Sequence, residues 1–247
     1  MRTSKYVALV ALFMLTVISQ NVKAQKKEPV SLSVVFGGGL AIPQSGLTGK
    51  VFGTSDKYPF EKNGYVLGAK LKLGFAETPE VRLVALGNYT SLSNDTSLTS
   101  IFNSKDTLVR VDRKLGITTV GVGVEYVFST NSLIKPYLGV DATLNFLSLE
   151  GKTVVDPFAK KYKTEKAVRG GLALGGGVEI ELPNSPVSFE IEGKYHFANL
   201  LGKKYQENNV LKDTYYLQDA KNPKDTKDNN RAINTIDVRV GLKIRLL

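Results

Sequence analysis

Residues 235–246 read TIDVRVGLKIRL. Ile236, Val238, Val240, Leu242, Ile244 and Leu246 alternate with Asp237, Arg239, Gly241, Lys243 and Arg245. Successive side chains of a β-strand point to opposite sides, so this stretch has one aliphatic face and one face of charge and glycine. Such a strand separates two different media.

The same period of two recurs upstream. Residues 187–197 set Val187, Phe189, Ile191, Tyr195 and Phe197 against Glu190, Glu192, Lys194 and His196. Residues 168–182 set Leu172, Leu174, Val178 and Ile180 against Arg169, Ala173, Glu179 and Glu181. In 137–148 the polar partners are Asp141, Thr143 and Asn145; in 117–128 they are Gly121, Gly123 and Glu125. In 81–90 they are Arg82 and Asn88, in 65–75 Lys70 and Lys72, and in 32–42 Ser33, Gly37 and Gly39. Eight strands result, most of them close to the roughly 9–11 residues that a tilted strand needs to cross a bilayer.

The connections alternate. Those at 76–80, 129–134 and 183–186 are tight, and those at 43–63, 92–115, 151–167 and 200–233 are long and polar. All long connections therefore fall at one end of the sheet. Short periplasmic turns and longer extracellular loops are the layout of an outer-membrane barrel. In this up-and-down order Tyr65, Tyr89, Phe146, Tyr195 and Phe197 fall on the apolar face near the loop end. Phe75, Tyr126, Phe128 and Phe189 fall near the turn end, giving two aromatic bands. A soluble lipocalin-like barrel shows the same alternation turned inside out. The glycines on the polar face (Gly37, Gly39, Gly68, Gly121, Gly123, Gly171, Gly175 and Gly177) favour the membrane form, because a narrow curved interior needs small residues.

The fold class read from these patterns is all-β, an eight-stranded antiparallel up-and-down transmembrane barrel covering residues 25–247 with four long extracellular loops. Residues 1–24 read as a cleaved secretory signal peptide. Arg2 and Lys5 precede an apolar run over 6–19, and Val22-Lys23-Ala24 offers a peptidase site. Cleavage takes the formal charge from +10 to +7. Export and the dispersion of the remaining charge argue against a nucleic-acid partner.

The segments resemble those of the small eight-stranded outer-membrane barrels, the OmpA transmembrane-domain, OmpX and OmpW-like families. VSLSVVFGGGLAIP at 30–43 and VRVGLKIRLL at 238–247 look like their first and last strands. The resemblance implies a membrane-embedded, usually monomeric protein in the bacterial outer membrane, with periplasmic termini and assembled by the barrel-assembly machinery. Those families usually end in an aromatic residue; this chain ends in Leu246-Leu247.

The predicted lumen holds Lys70, Lys72, Arg82, Arg169, Lys194, Arg239, Lys243 and Arg245 with Glu125, Asp141, Glu179, Glu181, Glu190, Glu192 and Asp237. His196 joins them. Near-balanced charges in a confined space read as a salt-bridge network that fills the barrel. The alternatives are a narrow pore and a lateral path for a small hydrophobic molecule.

Enzyme chemistry finds little support. The chain has no cysteine and one histidine. Some eight-stranded barrels modify lipid A, and the deacylase type places a serine two positions after its histidine; here that position is Ala198. No phosphate-binding loop, EF-hand spacing or cofactor motif occurs, and no cofactor is expected. Lys152, Lys160, Lys161, Lys163 and Lys166 crowd the third long connection. They are candidates for contacts with the phosphates of outer-membrane lipid, including lipopolysaccharide, or with an extracellular partner. Lys203, Lys204, Lys212, Lys221, Lys224, Lys227 and Arg231 lie in the fourth, among acids. The function read from the sequence is a non-enzymatic envelope scaffold or surface-binding protein.

Overall fold

A computed structural model describes residues 30–44, 47, 60, 62–102, 105–128, 132–155, 158–202, 205–207, 219–221 and 232–246. The expected signal peptide lies outside the described residues. The strands are β1 (Ser31–Pro43), β2 (Gly64–Gly74), β3 (Val81–Phe102), β4 (Lys105–Val127), β5 (Ile134–Val155), β6 (Phe158–Glu181), β7 (Val187–Leu201), β8 (Tyr205–Glu207), β9 (Asp219–Lys221) and β10 (Asn234–Arg245). Eight of them form a closed barrel in the order β1-β10-β7-β6-β5-β4-β3-β2. Every neighbouring pair in the wall is antiparallel. The short strands β8 and β9 pair with each other, in parallel, apart from the barrel.

The stretch 235–246 holds the closure. β10 lies between β1 and β7, with Val34 opposite Ile244 on one side and Phe189 opposite Leu242 on the other. Its odd-numbered charges turn inward and its aliphatics outward: Asp237 is 1% exposed and Val240 57%. The wall repeats this rule. Phe36, Leu67, Leu138, Ile191 and Val238 are exposed on the outside, whereas Lys72, Glu125, Glu179, Glu190 and Lys194 are buried inside. Aromatic pairs mark both rims. Tyr195 and Phe197 pack at 4.6 Å between centroids near the loop end, and Tyr126 and Phe128 at 5.4 Å near the turn end.

The turn between β6 and β7 is tight, and Asn184 takes a positive φ of 57° there. Asparagine accepts that conformation more readily than most residues.

Two of the four long connections are not loops. β3 and β4 stay in register out to Phe102 opposite Lys105, and β5 and β6 out to Val155 opposite Phe158. The strands expected at 81–90 and 117–128 therefore run far beyond those limits, as do those expected at 137–148 and 168–182. Strict alternation is needed only where one face meets an apolar medium. Beyond it, backbone pairing and β-prone Thr, Val and Ile suffice to continue the ladder.

At Gly39 an added Cβ would fall on the carbonyl oxygen of Val238 and within 2.8 Å of the Arg239 Cα, both backbone atoms of the closing strand. At the outward Gly87 it would meet nothing within 4 Å. Gly39→Val should therefore abolish the heat-modifiable folded band in an unboiled denaturing gel, while Gly87→Val keeps it. A normal folded band for Gly39→Val would show that the β1–β10 seam tolerates what the geometry forbids.

Candidate functional site: the lumen

The inward residues form layers, and the lowest lies towards the turn end. There Lys72 Nζ stands 2.9 Å from Glu125 Oε2, 2.9 Å from Glu179 Oε1 and 2.5 Å from Glu190 Oε2. Lys70 pairs with Glu190 and, at 2.5 Å, with Glu192. Arg82 and Lys243 both reach Glu179, each at 2.7 Å. Arg239 donates to Glu192 at 2.5 Å and to Asn88 at 2.8 Å. Lys194 pairs with Asp141 at 2.6 Å. Strands β2, β3, β4, β5, β6, β7 and β10 all contribute. Carboxylates and cations alternate in space, so Lys70, Lys72, Glu179, Glu190 and Glu192 each meet opposite charge on more than one side. That arrangement offsets the desolvation that a lone buried charge would suffer.

Tyr137 occupies the middle of this layer. Its hydroxyl donates to Glu192 Oε2 at 3.0 Å, and Lys72 Nζ sits 4.4 Å from its ring centroid, within cation–π range. Neither Tyr137 nor Lys135 was among the residues assigned to the lumen from the sequence. Both share the odd parity of Asp141 on β5, which is the signal that places them inside. Lys135 pairs with Glu181 at 2.8 Å.

Glycine makes room for these side chains. A Cβ on Gly177 would come within 2.7 Å of the Tyr137 hydroxyl, and one on Gly175 within 2.5 Å of Lys194 Cγ. The large polar side chains of one strand thus occupy the space that its neighbour leaves empty.

Other residues assigned to the network stand apart from its centre. Arg245 lies at the turn-end rim, where its side chain is 49% exposed and meets Glu181 at 2.8 Å. Arg169 sits at the opposite end and donates to the backbone carbonyls of Val168 and Gly202. His196 Nε2 is 3.1 Å from Asp237 Oδ2, and Thr235 donates to Asp237 at 3.2 Å. A neutral layer follows, in which Thr119 donates to Asn145 at 2.7 Å and Asn145 donates to the Ala198 carbonyl at 3.0 Å.

Above that the interior turns apolar. Ala41, Val66, Leu92, Leu115, Ile117, Leu147, Leu149 and Ala198 line it, and Leu47, Phe60 and Ile233 pack among them. The sequence reading carried polar residues through the whole lumen and missed this layer. Its wall residues keep inward parity, but Leu47 and Phe60 come from the connection after β1, where no periodicity marks them.

The candidate lipid-contact lysines lie on strands. Lys152 is on β5, and Lys160, Lys161, Lys163 and Lys166 are on β6. Lys152 lies opposite Lys161 and Thr153 opposite Lys160 in the ladder. Lys166 is exposed. Lys221 falls on β9; Lys203, Lys204, Lys212, Lys224, Lys227 and Arg231 lie outside the described residues. Among the described residues no group of acids and histidine forms a metal site.

Replacing Lys72 by Met should cost roughly 3–5 kcal/mol of stability, the usual loss when one member of a buried ionic cluster is removed. Adding Glu125→Gln should restore part of it, because Lys72 is the nearest cation to that carboxylate. Arg245→Ala, at an exposed pair, should cost at most about 1 kcal/mol. Urea unfolding followed by the gel shift measures all three. Equal losses for Lys72→Met and Arg245→Ala would deny the buried cluster its structural role.

No protein-family model matches the sequence, and no curated protein does. Among solved structures the chain is similar to the crystal structure of Neisserial surface protein A (NspA). The identity is 15% and the TM-score 0.45, over 88% of this chain and 99% of that one. It is also similar to Ail, the attachment invasion locus protein of Yersinia pestis, in complex with the heparin analogue sucrose octasulfate. There the identity is 12% and the TM-score 0.40, over 88% of this chain and 100% of that one. A second structure of Ail gives 15% identity and a TM-score of 0.35, over 87% of this chain and 97% of that one.

Proposed function

We propose that this chain is a non-enzymatic integral barrel of the bacterial outer membrane that carries a binding sheet above the surface. The observation behind this reading is the extension of β3, β4, β5 and β6 as one four-stranded sheet past the rim of a filled barrel. β2 pairs with β3 only as far as Tyr65 opposite Ser91, and β7 pairs with β6 only as far as Gly170 opposite Leu201. β3 and β6 then continue for about ten residues with one edge unpaired among the described strands. Free edges offer a ready template for an added strand.

The belt supports the membrane assignment. Tyr65 and Phe75, one at each aromatic rim, are ten residues apart on the sequence. At about 3.3 Å per residue and a tilt of about 40°, that span is roughly 25 Å tall, the height of an outer-membrane apolar band. Both chain ends of the barrel lie at the short-turn rim, which this reading makes periplasmic. Export to that membrane requires the signal peptide at 1–24 and the barrel-assembly machinery. Lys114 and Lys166 are exposed near the outer aromatic rim, at the level of lipid phosphates. The protein acts as a monomer, with no cofactor.

The two free edges differ. Along 92–102 the β3 edge carries a single charge, Asp95. Along 158–169 the β6 edge carries Lys160, Lys161, Lys163, Lys166 and Arg169 with one acid, Glu165. Lysines on an edge oppose strand addition, so the β3 edge is the one suited to an extended, uncharged partner segment.

Two measurements test the reading. Reconstituted in planar bilayers, the protein should give no stepwise conductance; reproducible channels would replace the scaffold with a pore. Vesicle-inserted protein should capture uncharged, β-prone peptides from a displayed library, and Ser97→Lys with Thr99→Lys should abolish capture. Capture unaffected by those lysines would remove β3 as the docking edge.

A further inference from the structure

The charged layer is the obvious obstacle to passage through the lumen, but a second obstacle lies above it. We propose that the apolar layer at the loop end is the barrier between the exterior and the lumenal charges, with Leu47 and Phe60 as its central seal. Phe60 is 2% exposed and Leu47 6%. Neither belongs to the wall. They pack in one buried cluster with residues of β1, β2, β3, β4, β5 and β7 and with Ile233.

The position of Leu47 is fixed locally. Gln44 N donates to the Asn234 carbonyl at 3.0 Å, tying the end of β1 to the start of β10. Leu47 N then donates to the Gln44 carbonyl at 3.0 Å, which holds Leu47 close to that anchor. Ile233, beside that anchor, is itself held by Asn199, whose Oδ1 accepts from Ile233 N at 2.8 Å.

The two layers resist passage by different physics. Paired charges can exchange partners with an entering ion, since Glu179, Glu190 and Glu192 each already touch more than one cation. An apolar layer offers an ion no partner, and a narrow apolar constriction also excludes water. The seal therefore keeps the charged layer dry and preserves the strength of its pairs.

This inference rests on the reading of the chain as a membrane barrel, and the test keeps the two apart. The chain has no cysteine, so one introduced thiol reports alone. Thr119 lies one inward position below Ile117 on β4 and is 4% exposed. In vesicle-inserted protein, Thr119→Cys should react with a charged, membrane-impermeant thiol reagent at least about a hundredfold more slowly than Lys166→Cys at the exposed rim, because a buried thiol reacts only through local opening. Adding Leu47→Ala and Phe60→Ala should raise the Thr119→Cys rate by at least about tenfold. Thr90→Cys with Phe60→Ala alone repeats the experiment with a milder change. The folded gel band and flotation with the vesicles report the barrel independently of the thiol. Rapid labelling at position 119 in the otherwise unchanged protein, or labelling that stays slow after truncation of a folded variant, would overturn the seal. Loss of flotation in the parent would instead overturn the membrane barrel.

Discussion

Closure of the sheet governs everything else in this molecule. A barrel wall has no free edge, so every backbone amide within it finds a partner in the wall itself. Only then can the outer face be wholly apolar without exposing unpaired polar groups to an apolar medium. The β1–β10 seam completes the ring, and it does so at a place where Gly37 faces Gly241 on one side and Gly68 on the other. Three glycines side by side leave the inner wall bare at that level. Lys70 reaches over the gap from β2 to Glu192 of β7, and Arg239 from β10 to Asn88 of β3. Closure and the charged layer are therefore linked: the seam sets the space that the charges must fill.

Filling that space with ions rather than hydrocarbon has a cost, because each charge loses its hydration. The geometry shows how the cost is offset. Glu179 meets Lys72, Arg82 and Lys243, while Lys72 meets Glu125, Glu179 and Glu190. No pair is isolated. An apolar filling of the same volume could be as stable, but a charged one fixes which strand faces which. Glu179, Glu181, Glu190 and Glu192 of β6 and β7 each have a cation partner on β2, β3 or β10, and a slip of one residue would turn these groups towards the apolar exterior. Burial of charge thus acts against wrong registers more than it adds to the stability of the right one.

Much of the barrel was legible because its two faces have opposite polarity. Residues 235–246 show the rule without exception, and parity alone carries Lys72, Glu125, Glu179 and Lys194 to the interior. Parity also reaches Tyr137 and Lys135 when it is extended to the start of β5. The rule fails where the two faces no longer differ in polarity. Beyond Ser91 the β3 strand runs on through serine, threonine and asparagine with no alternation of polarity, so a paired strand looks like a loop. Leu47 and Phe60 were illegible for another reason. Their burial follows from the end of β1 being tied to Asn234, a residue nearly two hundred positions away. Local sequence holds no trace of such a contact.

The order of layers along the axis has a physical logic of its own. The ion-pair cluster lies towards the short turns, with His196 and Asp237 above it; neutral hydrogen-bonding groups come next, beside Arg169, and hydrocarbon closes the end where the sheet rises out of the barrel. A sheet that projects beyond the rim needs a core at its base, because strands held only by edge-to-edge pairing are marginal in water. Leu92, Leu115, Leu147 and Leu149 lie on the strands that continue into the projecting sheet, and all four belong to the apolar layer. The same residues that close the lumen therefore anchor the sheet. Opening the mouth would therefore loosen the base of the sheet.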